Sequence, residues 1–236
     1  MPPQPICDRD LTGTAAALAA GELSSRELTM AYLDRIERQD GRLNAYITVT
    51  ADEALDAAGR SDERRRNGET LGLLDGIPMA FKDNIDVAGI PATAGMATRR
   101  NRIPADDAAC VAALKAHGAV VLGKHTFHEA AMGPSPINPH YGSTHNAHRH
   151  GYTAGGSSTG AGAALGTGTL GSVRLPSAYS GIAGLNPTPG LIGVRGVLPL
   201  SWQLDVVGPL ARSARDLAVL AAALTQYDPE DGASIE

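Results

Sequence analysis

Lys82 follows the apolar run PMAF and precedes Asp83 and Asp86 in the stretch PMAFKDNID. A lysine at the end of an apolar strand can be partly buried, which lowers its pKa and lets the neutral amine act as a base near neutral pH. It can equally point to water or pair with Asp83 or Asp86, and the residues alone leave both readings open. Ser157, Ser158 and Ser172 lie in a second stretch, GGSSTGAGAALGTGTLGSVRLPSA, over residues 155–178. Glycines around a serine let backbone N–H groups crowd a reacting oxygen, as an oxyanion hole requires. Serines in such loops are also ordinary turn residues. No Asp or Glu lies between Glu129 and Asp205. Chemistry centred there therefore draws its acid or base from other groups or from elsewhere in the chain.

Other chemistries fit these residues less well. Gly166, Gly168 and Gly171 match the spacing of a dinucleotide-binding G-x-G-x-x-G, but Arg174 and Pro176 follow at once and no acid lies about 20 residues on to hold a ribose. A phosphate loop ending in Gly-Lys-Ser/Thr is absent. All seven histidines fall between His117 and His150, with His140, His145, His148 and His150 clustered. That cluster sits on a segment punctuated by Pro134, Pro136, Pro139 and Gly142, and reads as a polar surface loop rather than a metal site.

The elements that must position these residues are legible in outline. SSRELTMAYLDRIERQD carries Ser24 three residues before Glu27, a capping box, with Leu28, Tyr32, Leu33 and Ile36 at helical spacing and Gly41 as its end. TADEALDAAGRSDERRRNG reads as a second, mostly solvated helix whose run Asp62 to Arg66 is an exposed face. LDGIPMAFKDNIDVAG switches to strand content, and PADDAACVAALKAHGAVVLGK reads as helix, Gly118 cap, then a buried strand AVVLG. Residues 133–154 read as loop. SARDLAVLAAALTQ closes the pattern as a helix, with Ser213 and Asp216 at capping spacing and Leu217, Leu220, Ala221 and Leu224 on its apolar face.

Composition sets the outer bounds. The chain has 236 residues, 43% of them apolar and only 4% aromatic, which suits Ala/Leu/Val/Ile helices packed on a buried sheet rather than disorder. A net charge of −5 argues against nucleic acid as a direct partner. No apolar run reaches the roughly 18 residues of a membrane span, and the first residues lack the apolar core of a signal peptide. Cys7 and Cys110 form neither a disulfide framework nor a metal pattern. The expectation is a cytoplasmic protein.

The segments LLDGIPMAFKDNIDVAGIPATAG, GGSS, GSVRLPSAYSGIAGLNPTPGLIGVRGVLPL and LDVVGPLARSARDLAVL, in this order from Leu71 to Leu224, resemble the amidase signature family. The resemblance implies α/β/α layers around a mixed central sheet, incomplete relative to full-length members. It divides the chain into an N-terminal helical region at 1–70 and a partial core at 71–236, in one domain overall. It implies a hydrolase of C–N bonds other than peptide bonds, acting on carboxylic amides or related carbamates and esters, with a small-molecule amide as substrate and no cofactor or metal. By the same resemblance Lys82, Ser157 and Ser172 are a Ser–Ser–Lys triad. Ser172 is its nucleophile, Ser157 follows a cis peptide bond, and Lys82 is the base at the end of the relay. Thr169, Leu170, Gly171 and the Ser172 backbone would form the oxyanion hole, with Met132, Gly133 and Ser158 at the substrate. The glycines of the 155–178 stretch would let a substrate carbonyl approach the backbone.

The chain departs from the family pattern in three places. Gly168 and Leu170 in GTLGS stand where the family usually has an acid and a glycine. Ser157 and Ser172 lie 15 positions apart; the family has about nine more residues there, a helical rise of about 13 Å. The match also covers about half of a typical member. These departures support two alternatives: a non-catalytic or incomplete amidase-like protein that needs a complementary chain or a homo-oligomer, and the amidase subunit of a tRNA-dependent amidotransferase.

Overall fold

The computed structural model describes residues 6–160 and 164–235. Its helices are α1 (Leu11–Ala19), α2 (Ser25–Leu43), α3 (Ala51–Asn67), α4 (Ala109–Ala116), α5 (Arg174–Ser180) and α6 (Ala214–Leu224). Its strands are β1 (Tyr46–Val49), β2 (Pro78–Lys82), β3 (Val120–His125), the short pair β4 (Ile137–Asn138) and β5 (Gly142–Ser143), β6 (Ala164–Gly168), β7 (Ala183–Gly184) and β8 (Val206–Ala211). Six strands form one mixed sheet in the order β1-β3-β2-β6-β8-β7. β2 runs parallel to β3 and β6, and the outer pairings are antiparallel. This is the expected α/β architecture. Helices α2 and α3 pack together and over β3, while α6 packs over β7 and β8 and against α4.

The central strands are buried throughout, as parallel strands covered on both faces must be. Phe81 enters one core cluster with Leu28, Leu114, Leu165, Val207 and Leu224. Its neighbour Ala80 enters a second with Ala54, Ala58, Val120 and Leu122. The alternation places the two clusters on opposite sides of β2.

Helix α2 begins as its sequence requires. The Ser24 side chain accepts from Glu27 N, and Glu27 Oε2 accepts from Ser24 N. Its end differs: Gly41 lies inside the helix, and Asn44 closes it in the left-handed conformation with its N–H on Asp40 O. The Asp62–Arg66 run is not simply a solvated face. Asp62 accepts from the N–H groups of Ser25 and Arg26 at 2.7 and 3.0 Å, which satisfies two further free donors of the α2 N-terminus. Arg64 pairs with the buried Asp75 at 2.5 Å. In α6, Ser213 caps Asp216 N as expected, and Ala223 rather than Ala221 completes the buried face with Leu217, Leu220 and Leu224.

Candidate active site

β2 delivers Lys82 into the interior, where it is only 1% exposed. Its Nζ lies 2.7 Å from Ser157 Oγ, 2.8 Å from Thr167 Oγ1 and 3.4 Å from the Thr167 carbonyl. Burial lowers its pKa to about 7, and the nearby Asp205 carboxylate acts in the opposite direction. The Phe127 ring lies 5.1 Å from the nitrogen. Of the two readings left open for Lys82, the buried base is the one the fold adopts.

The donor count gives the base form a defined geometry. A neutral lysine has two N–H donors and one lone pair. Thr167 offers a hydroxyl and a carbonyl to the two N–H groups, so the lone pair is left for the Ser157 O–H. Thr167 Oγ1 also accepts from Asn84 Nδ2 at 3.1 Å, and Asn84 donates to Leu198 O at 3.2 Å. These hydrogen bonds link β2, β6 and the segment leading to β8 around one nitrogen.

Ser157 is fully buried, and the Gly156–Ser157 peptide bond is cis. Its carbonyl accepts from His128 N and Thr159 N. Ser158 is also buried, with its hydroxyl on the Thr167 carbonyl at 3.3 Å. The glycines here serve internal contacts first. A Cβ on Gly156 would lie 2.6 Å from Ser135 O, and one on Gly155 2.8 Å from Tyr179 Cδ2. At both positions protein atoms already occupy the place a side chain would take. Gly171 differs, because a Cβ there would meet nothing closer than Leu175 Cδ1 at 3.3 Å.

Ser172 follows β6 and immediately precedes Val173, the N-cap of α5, in a half-buried position. No hydrogen bond joins its hydroxyl to Ser157 among the described residues. The structure therefore brings Lys82 and Ser157 together and leaves Ser172 outside that contact. Residues 161–163, in the short connection between the two serines, lie outside the described residues.

The segment before Ser172 is partly open. Leu170 is 80% exposed, has no positive φ, and its carbonyl accepts from Arg174 Nη2 at 2.6 Å. Among the described residues, the N–H groups of Leu170, Gly171 and Ser172 have no protein acceptor. The Thr169 hydroxyl donates to Asp205 Oδ1. Met132 is 72% exposed at the surface, and a Cβ on its neighbour Gly133 would meet His128 Nε2 at 2.4 Å.

Thr167, Asn84 and Asp205 join the site without a role expected from sequence. Asn84 lies in the FKDN stretch and Thr167 in the glycine-rich one, so motif proximity is a usable signal for those two. Asp205 is distant in sequence and reaches the site only through strand pairing, Gly168 opposite Val206. The clustered histidines divide among separate contacts. His140 pairs with Glu129 at 3.1 Å, His148 lies 2.9 Å from Ser180 O, and His145 stacks on His150 with centroids 4.1 Å apart.

Known proteins share this sequence and fold. The family model described as Amidase matches residues 27–236. The chain is 40% identical over 239 residues to a glutamyl-tRNA(Gln) amidotransferase subunit from Anaeromyxobacter sp. (strain K), covering 98% of this chain and 49% of that one. It superposes on the native peptide amidase from Stenotrophomonas maltophilia with TM-score 0.93 and 39% identity, covering 98% of this chain and 51% of the other. A protein from what is described as an unexpected vestigial complex revealing the origins of an s-triazine catabolic enzyme superposes with TM-score 0.94 and 36% identity, covering 97% and 52%. The chain spans about half the length of the curated relatives it matches. Among the described residues no helix is long and apolar enough to cross a membrane.

Proposed function

The chain belongs to the amidase family, and from that premise we propose that it hydrolyses the C–N bond of carboxylic amides through an acyl-enzyme on Ser172. The observation that carries this is the buried Lys82–Ser157 contact at 2.7 Å, with Thr167 satisfying the remaining lysine donors. Ser172 Oγ attacks the substrate carbonyl carbon. Its proton passes to Ser157 Oγ, and the Ser157 proton passes to Lys82 Nζ. The backbone N–H groups of Thr169, Leu170, Gly171 and Ser172 hold the oxyanion. Collapse of the tetrahedral intermediate breaks the C–N bond, and the relay returns the proton to the leaving amine. Water, deprotonated by the same relay, then attacks the acyl-enzyme, releases the acid and regenerates Ser172. Substrate approaches past Met132, Gly133 and Ser158. A peptide amidase among the structural neighbours gives no ground for keeping amides of peptides outside the substrate range.

Intact mass measurement after fluorophosphonate treatment tests this reading. One adduct is expected on the wild type and none on Ser172→Ala. A folded wild type that takes no adduct would sink it.

A second reading rests on the names of the curated relatives, which are glutamyl-tRNA(Gln) amidotransferase subunits. On it, the same relay releases ammonia from glutamine for a partner. Glutaminase activity that rises on adding the other chains of such a complex distinguishes it from a free-standing amidase. The exposed side chains Met132, Leu170 and Trp202, the last 83% exposed, support a further proposal that a complementary chain or a second copy covers them. Light scattering that finds only monomer, both for this chain alone and with the candidate complementary chain added, would remove it.

A further inference from the structure

The proposed reaction involves Lys82, Ser157 and Ser172 and leaves one carboxylate beside them without a role. Asp205 lies at the entry to β8. Its Oδ1 accepts from the Thr169 hydroxyl, and its Oδ2 accepts from Leu200 N at 2.6 Å and Ser201 N at 3.0 Å. Thr167 lies in β6 and Thr169 just beyond its end. Thr167 holds Lys82, and Thr169 is held by Asp205.

We infer that Asp205 is a positioning residue for this site: its carboxylate anchors Thr169, the first residue of the proposed oxyanion segment, to the 200–201 loop and sets a fixed negative charge beside Lys82. The inference rests on the amidase reading.

The other charged groups around Lys82 are already accounted for. Asp83, next in sequence, is turned to Lys124 at 3.3 Å and to Thr93. Lys124, on neighbouring β3, is held by that pair. His125, opposite Lys82 in the β2–β3 pairing, is buried and pushed down to about 3, so it stays neutral. β6 contributes no titratable group over Leu165–Gly168. Asp205 is the charge left to act on Lys82, and it acts to favour the ammonium. It thereby opposes the burial that makes the lysine a base, and sets where the balance falls.

The chain contains three lysines, Lys82, Lys115 and Lys124. Lysine labelled with carbon-13 at Cε therefore gives three signals, and Lys115→Arg removes one of them for assignment. In the full chain the Lys82 signal is expected to titrate near 7. Asp205→Asn removes the charge at nearly constant shape, and the midpoint is expected to move to lower pH, with the acid limb of kcat/KM moving alongside. Loss of a merely structural contact would lower kcat without moving that midpoint. Thr169→Val keeps the charge and removes the anchored hydroxyl. It is expected to leave the midpoint in place and slow acylation on the order of ten- to a hundredfold.

An unmoved midpoint in folded Asp205→Asn overturns the electrostatic role, and an unslowed Thr169→Val overturns the anchoring role. The second variant decides even where the first does not fold. A wild type that takes no fluorophosphonate adduct overturns the reading beneath the inference. A wild type that takes it, with both variants unaltered, overturns the inference alone.

Discussion

Lys82 is offered one oxygen by Ser157 and two by Thr167, and that set fixes which way its lone pair faces. The consequence is a pH dependence with a definite sign. Protonated Lys82 cannot accept the relay proton, so kcat/KM for an amide should rise with pH through about 7 and level off above it. A profile flat from pH 6 to 9 would contradict a lysine base. Thr167→Val tests the same geometry from the other side. It replaces the hydroxyl by a methyl and leaves a Lys82 donor and an Asn84 donor short of an acceptor. Stability should fall by about 1–3 kcal/mol in urea titrations. The ammonium loses a hydrogen bond, so the acid limb should move to lower pH. kcat should drop on the order of ten- to a hundredfold as the amine loses its orientation. The residue types of this site could be read from sequence because Lys82, Ser157 and Ser172 stand in quoted motifs. For Thr167 the sequence offers only its place in the glycine-rich stretch, because nothing local distinguishes a threonine that holds a lysine from one in a turn.

Elements that carry their own signals were legible, and those made by partners were not. The capping pairs Ser24/Glu27 and Ser213/Asp216 mark α2 and α6 because both members are three residues apart. The apolar runs of β2 and β3 are legible for the same local reason. β1 has only four residues and becomes a strand by pairing with β3. β6 reads ALGTG, with two glycines and Thr167 as its single β-branched residue, and is held between β2 and β8. Two substitutions test such long-range dependence. Gly123 has φ +146°, and a Cβ there would lie 2.1 Å from Thr48 O, where β1 docks on β3. Gly123→Ala should cost about 2–4 kcal/mol, from backbone strain and the clash together, read by urea unfolding. Asp62→Ala removes the acceptor for two N–H groups at the α2 N-terminus. It should cost about 1 kcal/mol, and Asp62→Asn, with one acceptor oxygen for the two N–H groups, should recover only part of that. An Asp62→Ala variant as stable as wild type would return that run to the role of a solvated face.

For the molecule as a whole, the sheet centre encloses ionisable groups whose burial ties stability to pH. His125 is 3% exposed, with Tyr46 edge-on at 4.7 Å, and burial followed by the nearby Lys124 charge pushes its pKa down to about 3. An unfolded histidine titrates near 6.5. Between those values the unfolded chain binds the extra proton, so stability falls as pH drops through this window. Lys82 acts in the same sense higher up: folded near 7 and unfolded near 10.5, it makes stability rise with pH across that range. Asp83 opposes this trend, because burial raises its carboxyl and the folded state then gains on acidification through its own range. Between pH 6.5 and 4 the histidine lowers stability on acidification while Asp83, with its carboxyl raised, offsets part of that loss, and His125→Met isolates the histidine's contribution. The urea midpoint of the wild type should therefore decline across that interval, and His125→Met should flatten the decline by on the order of a few kcal/mol over the full window. His125→Met leaves Lys82, Ser157 and Thr167 in place, so a flattened stability profile with the acid limb of turnover still near 7 would separate the histidine that governs acid stability from the lysine that governs catalysis. Equal slopes in wild type and His125→Met would mean that the folded interior accommodates the imidazolium, and would place the acid sensitivity of this sheet elsewhere.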